Sequence, residues 1–227
     1  MRLLVTAGPT REYLDDVRFL SNASSGRMGC AIARAALARG HQVALVCGPL
    51  EVPPPPCDIC RVTTAAEMLE ACVRLLPAAD AVLMAAAPAD FRPAERAAGK
   101  IKKAHAPRTL RLEPTPDILR ELARLRTGQV LVGFALEAHD LERNAREKLR
   151  AKGLDLIVAN SPQAIAAERS TVRLLYPDGS GETLEEAPKD AIAARLLEAV
   201  ERLVAARKRA PLQPPPCESG PSSAQRA

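Results

Sequence analysis

Five short apolar runs constrain this chain more than any other feature of its sequence. Arg2 to Ala7, His41 to Cys47, Ala81 to Ala87, Val130 to Phe134 and Leu156 to Ala159 carry almost no charge between their ends. Strands buried on one face alternate polar and apolar residues, whereas uninterrupted apolar runs belong to strands covered on both faces, as in parallel sheets. Helix-periodic segments separate them. Ser24, Ser25, Gly26 and Gly29 open one helix in which Met28, Ile32 and Ala35 share a face, with Gly40 as its stop. Thr64 and Glu67 make a capping box for a helix reaching about Leu76. Pro116, Asp117 and Ile118 start another, with the proline at a position whose missing amide is harmless. A further helix carries Lys148 and Lys152 on one face, and the last, from about Pro188, aligns Ile192, Leu196, Val200 and Leu203. Val172 to Leu175 and Glu182 to Leu184, joined through Pro177, Asp178 and Gly179, read as a hairpin. This alternation predicts an α/β fold: a Rossmann-like, doubly wound, mostly parallel sheet with an appended hairpin. Residues 1–209 form the expected domain and 210–227, rich in Pro and Ser without periodicity, a disordered C-terminal tail.

Only 2% of the residues are aromatic, so the core must be built from Ala, Leu, Val and Ile. The same scarcity removes a stacking surface for nucleic acid, and a net charge of +5, partly held in Arg207, Lys208 and Arg209, is too small for a dominant basic stripe. Among six cysteines only Cys57 and Cys60 have ligand-like spacing, and a structural zinc site would lack its second pair. No leader pattern and no membrane-length run is present, which leaves the cytoplasm as the expected location.

Ligands of open α/β sheets bind outside the carboxyl ends of the strands. Residues 84–103, MAAAPADFRPAERAAGKIKK, end an apolar run in Met84, Ala85 and Ala86, whose modest bulk lets a ligand approach. Asp90 follows as a fixed acceptor, then Lys100, Lys102 and Lys103 on a segment loosened by Gly99. One acid and three cations suggest a nucleotide. Between Gly8 and Gly26 a long polar insert carries Arg11, Glu12, Arg18 and Asn22, and the helix opening at Ser24, Gly26 and Gly29 offers amides that hold phosphate. Asn160 places another polar group at a strand end. Local sequence alone also fits blander roles: KIKK as a solvated charge run, Phe134 as core and Asn22 as a loop residue bonding its own backbone.

Five segments change that balance: TAGPTRE at 6–12, VRFLSNASSGRMG at 17–29, AAAPADFRP with KIKK, TPDIL at 115–119, and GFALE with the K-x-x-x-K-x-x-D helix end. In this order and spacing the chain resembles phosphopantothenoylcysteine synthetase over about residues 2 to 205. In bacteria this coenzyme A pathway enzyme is often fused behind a flavin-dependent decarboxylase. The resemblance implies a phosphopantothenate–cysteine ligase. A nucleoside triphosphate activates the carboxylate of 4'-phosphopantothenate as an acyl nucleotidylate, and the amine of cysteine then displaces the nucleotide.

Matching positions imply Lys100 as the cation at the α-phosphate and Asn22 as an amide donating to the acyl oxygen. Lys148 and Lys152, with the amides of Ser24, Gly26 and Gly29, would hold the other phosphates. Met84, Ala85, Ala86, Asp90 and Asn160 would contact nucleotide or the pantetheine chain, and Pro116, Asp117, Ile118, Leu119 and Phe134 would wall the base. Arg18 would reach the substrate phosphate of the neighbouring subunit, which implies a homodimer with shared active sites. Magnesium is expected to be held mainly by phosphates rather than by protein side chains. GFALE and the two-lysine helix resemble the CTP-using bacterial branch. Without the decarboxylase half no flavin is expected, and phosphopantothenoylcysteine decarboxylase is the candidate separate partner.

The sequence departs from bacterial members at Arg27, usually Lys, at Pro88, usually Val, and at AIAAERST after Asn160, which replaces Phe-Gly-Ser-Asp-x-Asn. Two rival readings remain. An NAD(P)-dependent oxidoreductase would need a tight glycine turn after the first strand and an acid after the second, where this chain has Cys47 and Gly48. A non-catalytic nucleotide-binding scaffold would not need Asn22, Asp90 and Lys100 intact.

Overall fold

The structure is a computed structural model that describes residues 1–103, 109–161 and 168–209. The tail expected at 210–227 and the first half, 164–167, of the departing AIAAERST stretch lie outside the described residues. In chain order, β1 (Arg2–Ala7), a hairpin of β2 (Arg11–Tyr13) and β3 (Phe19–Ser21), and α1 (Arg27–Ala38) come first. They are followed by β4 (Gln42–Cys47), β5 (Asp58–Arg61), α2 (Ala65–Leu75), β6 (Ala81–Met84), β7 (Phe91–Pro93) and β8 (Leu112–Pro114). Then come α3 (Ile118–Leu125), β9 (Val130–Leu136), α4 (Leu141–Ala151), β10 (Leu156–Asn160), β11 (Arg169–Leu175), β12 (Gly181–Pro188) and α5 (Lys189–Arg209).

The main sheet has eight strands in the order β12-β11-β10-β9-β6-β1-β4-β5. From β5 to β10 every pairing is parallel, while β11 and β12 add antiparallel at one edge. The uninterrupted apolar runs have a physical reason: successive side chains enter opposite cores. Leu3, Val5 and Ala7 of β1 pack with Ile32 and Ala33 of α1 and Ile192, Leu196 and Val200 of α5. Leu4 faces the other way, in the cluster of Met68 of α2, Leu122 of α3 and Leu149 of α4. Strand order reverses between β1 and β6, because the chain leaves β1 for α1 on one face and leaves β6 for α3 on the other. Such a reversal opens a crevice at the carboxyl ends.

The predicted α/β architecture with its edge hairpin is therefore present. The Thr64–Glu67 capping box also forms, with Glu67 N donating to Thr64 Oγ1 at 3.2 Å and Thr64 N to Glu67 Oε2 at 3.3 Å. Two local expectations are corrected and one strand pair is added. The polar insert after β1 folds into the β2–β3 hairpin, fixed by buried Glu12, whose Oε1 accepts from Ala65 N at 2.8 Å at the start of α2. β7 pairs antiparallel with β8, two strands not anticipated. Pro116 lies ahead of α3 rather than in its first turn; Asp117 is the cap, accepting from Arg120 N at 3.1 Å. Among the described residues no helix is long and apolar enough to cross a membrane.

Candidate active site

At the reversal between β1 and β6 lies a cleft of about 610 Å³, lined from the loops after β3, β6 and β9, the starts of α1, α3 and α5, and one face of α4. Its floor is the segment Ala85–Asp90. Buried threonines fix this backbone: Ala86 N donates to Thr6 Oγ1 at 3.0 Å and Ala89 N to Thr10 Oγ1 at 2.9 Å. Ala87 N donates to Gly8 O at 2.9 Å, and Thr115 closes the far side through Oγ1 to Ala89 O at 2.6 Å and N to Asp90 O at 2.9 Å. With these amides engaged and Pro88 having none, the floor meets a ligand through carbonyls and the Asp90 carboxylate. No hydrogen bond or ion pair engages that carboxylate among the described residues.

Asn22 enters from the β3–α1 loop. Its Nδ2 donates to Ala87 O at 3.3 Å and Pro88 O at 2.9 Å, so the donor expected at an oxyanion is already used and Oδ1 is the atom left open. Ser24 and Gly26 also line the cleft. Gly26 caps α1 with φ 78°, and no side chain caps the helix. The first helical bond is Cys30 N to Gly26 O at 3.1 Å, leaving the preceding first-turn amides outside the helical ladder. Gly29 does not line the cleft. A side chain there would come within 2.6 Å of Thr6 O, so its service is to bring α1 against β1.

Opposite stand Lys148 and Lys152. Lys148 Nζ donates to Phe134 O at 2.7 Å, and its pKa is pushed down by burial and then by the neighbouring Lys152 charge. Lys152 Nζ lies 2.9 Å from both Asp117 carboxylate oxygens. Burial works against the Asp117 charge, but Lys152, the Arg120 amide and Lys148 outweigh it and hold the carboxyl below its ordinary range. Met84, Ala85, Ala86, Pro116, Ile118, Leu119, Phe134 and Asn160 complete the predicted residues that share the cleft.

Lys100 and Arg18 are not among the lining residues. They sit beside the β2–β3 hairpin, where Asp15 organises a separate knot. Asp15 Oδ2 accepts from Ile101 N at 3.1 Å, and Oδ1 from Val17 N and Arg18 N at 2.8 Å each. Burial would raise the Asp15 pKa; the Arg18, Val17 and Ile101 amides and the Arg18 guanidinium bring it to about 2. Arg18 Nη2 donates to Ile101 O at 2.6 Å, and Gly99 N to Asp16 Oδ2 at 3.0 Å. Cleft residues not expected as ligand contacts include Thr115, Ser170 and Lys189, together with Arg27, noted only as a departure. Lys189 had a sequence signal: a lysine directly after Pro188 opens a helix with the charge that a helix N-terminus disfavours.

Residues 1–204 match the family model described as the DNA/pantothenate metabolism flavoprotein C-terminal domain. The coenzyme A biosynthesis bifunctional protein CoaBC of Bacillus subtilis is 41% identical over 207 residues, covering 88% of this chain and 51% of the relative. Its namesake in Thermococcus kodakarensis is 40% identical over 209 residues, covering 89% and 51%. This chain thus spans about half the length of these curated relatives. Among solved structures, the C-terminal domain of a coenzyme A biosynthesis bifunctional protein CoaBC superposes with a TM-score of 0.79 at 36% identity, covering 90% of this chain and 96% of that one.

Proposed function

The chain belongs to the DNA/pantothenate metabolism flavoprotein C-terminal domain family, and on that premise we propose that it is a phosphopantothenate–cysteine ligase that uses CTP in coenzyme A biosynthesis. The observation that carries this reading is the convergence of Asn22, Asp90, Phe134, Lys148 and Lys152 on one cleft at the strand-order reversal. Cytosine lies against Pro116–Leu119 and Phe134, with the phosphates between Lys148 and the opening of α1. An oxygen of the phosphopantothenate carboxylate attacks the α-phosphorus, the bond to the β-phosphate oxygen breaks, and pyrophosphate leaves with the electron pair. Two anions must meet in this step, so fixed cations and oriented amides that cost no reorganisation lower its barrier. The cysteine amine then attacks the acyl carbon and loses a proton, and CMP departs as the amide forms. Asn22 holds the floor carbonyls through Nδ2 and accepts an amine N–H through Oδ1, positioning the nucleophile rather than donating to the acyl oxygen.

Magnesium supplies charge neutralisation across the phosphates. Asp90 fits it as a single protein ligand, since Asp117 is engaged by Lys152 and Glu137 by Asn144. Among the described residues no group of three or more acidic, His or Cys side chains forms a dedicated metal site. A homodimer completes the site. Val17, Phe19, Phe91, Leu110 and Leu112 are exposed on and around the two small hairpins, and a second copy covering them carries Lys100 and Arg18 to the neighbouring cleft. Phosphopantothenoylcysteine decarboxylase is the expected consumer of the product.

The test is pyrophosphate release with CTP, phosphopantothenate and magnesium, with and without cysteine and with ATP in place of CTP. Release that requires phosphopantothenate and favours CTP is expected. Lys100→Gln should block this half-reaction, whereas Asn22→Asp should let acyl cytidylate accumulate in quenched samples read by mass spectrometry. Mixing the two variants should restore turnover if the sites are shared. No release with either nucleotide would sink the ligase reading, and failure of the mixture would sink the shared site.

A further inference from the structure

We propose that Arg27, Ser170 and Lys189 form a pyrophosphoryl-binding corner of the cleft, which takes the terminal phosphates of the nucleotide and holds the pyrophosphate they become. The identity of that ligand rests on the ligase reading; the anion site itself does not. Arg27 is the first residue of α1 and Lys189 the first of α5, two helices that pack together on one face of the sheet, and both side chains line the cleft. Cations at helix N-termini oppose the helix dipole, and α1 has no acid in its first turn to compensate. An anion between the two helix starts resolves both conflicts and meets the first-turn amides of α1.

Ser170 supplies the independent observation. It is 5% exposed, lines the cleft, and its Oγ has no hydrogen-bond partner among the described residues. Its neighbours on the same strand face, Val172 and Leu174, belong to the apolar core. A hydroxyl placed there without a partner costs stability unless a ligand satisfies it. The backbone around it is built irregularly. Ser170 pairs with Ala187 and Val172 with Leu184, so β12 carries an extra residue where Glu186 adopts φ 43°. Bulges of this kind re-aim side chains beside sites. Arg27 Nε is likewise buried without a hydrogen-bond partner among the described residues. Burial and then the Arg27 charge lower the Lys189 pKa, which places the two cations within electrostatic reach of each other.

Isothermal titration of the intact chain with inorganic pyrophosphate tests the site without any turnover. Arg27→Met and Lys189→Met should each weaken binding about tenfold or more, and Ser170→Ala several-fold. Ser170→Ala should leave Tm unchanged or raise it, because the variant removes an unsatisfied buried hydroxyl; a purely structural serine would instead lower Tm. Wild-type affinity in Arg27→Met and Ser170→Ala, or no pyrophosphate binding by the wild-type chain, would overturn the proposal. In turnover assays Arg27→Met should raise KM for CTP. A raised KM for phosphopantothenate with that for CTP unchanged would assign the corner to the acyl substrate's phosphate and overturn the pyrophosphoryl assignment. Intact pyrophosphate binding that responds to these variants, in a chain without ligase turnover, would support the corner while removing the ligase reading.

Discussion

The cleft has cations on both faces of the sheet, and they differ in what balances them. On the α3–α4 side, Lys152 is matched by Asp117, and Lys148 has Phe134 O as its acceptor. On the α1–α5 side, Arg27 meets no carboxylate among the described residues and its charge bears on Lys189. A cation already paired is held in position but must exchange partners to serve a ligand. One facing another cation is costly until an anion arrives. The first corner therefore suits orientation of the reacting phosphate, and the second suits capture of charge that arrives with the substrate and leaves with the product.

Lys148→Ala is the largest expected break in this contrast, because Lys148, unlike Lys152, is held by no carboxylate ion pair among the described residues. Turnover as kcat/KM should fall about 100-fold or more, the size seen when a preorganised donor is removed from a developing charge. A loss below about threefold would mean that the α3–α4 side does not meet the reacting phosphate. Asp117→Asn sharpens the point with a smaller effect. Asparagine still caps α3, so stability should drop by less than about 1 kcal/mol as the part-exposed pair with Lys152 is lost. CTP affinity should stay within about threefold of wild type. A fall as deep as that of Lys148→Ala would show that Asp117 contacts the nucleotide itself and is not chiefly the keeper of Lys152.

The sheet was legible because its five central parallel strands are apolar on both faces, so β1, β4, β6, β9 and β10 stand out without any knowledge of pairing, whereas the edge strand β5 is mostly exposed. The two small hairpins were not. The polar residues of β2 gain strand geometry through pairing with β3 and through long-range bonds, Arg11 N to Thr63 O and Ala65 N to Glu12 across 53 residues, and β7 is too short to carry a period. Most cleft residues were legible as motifs at strand ends. Gly29 has a packing role that the sequence did not reveal, because sequence does not separate a glycine needed for close approach to Thr6 and Ala7 from one needed for a ligand. Ser170 was hidden for the opposite reason. A single serine in β11 looks like any edge-strand polar residue until burial shows its hydroxyl without a partner. Lys100 and Arg18 lie on a different part of the surface from the cleft, which a linear reading that groups them with Asn22 does not reveal.

The smallest effect, and the one that separates the two corners without destroying either, is proton linkage. Burial and Lys152 lower the Lys148 pKa against the pull of Glu137, Asp117 and Asp90, and burial with Arg27 lowers that of Lys189. For each lysine the folded pKa lies below the ordinary value of 10.5, so the unbound protein holds fewer protons than the unfolded chain between those limits. Its stability consequently rises with pH across that window. A bound polyphosphate favours the charged lysines and returns their pKa values upward, so CTP binding should take up protons in the same window and weaken as pH rises through it. Titrations in two buffers of different ionisation enthalpy read that uptake directly. Arg27→Met removes the charge that helps depress Lys189, so uptake should shrink yet persist through Lys148, whereas Lys148→Ala should leave only the Lys189 share. Equal uptake in wild type and both variants would mean that neither lysine senses the phosphates, and the distinction between the two corners would fail.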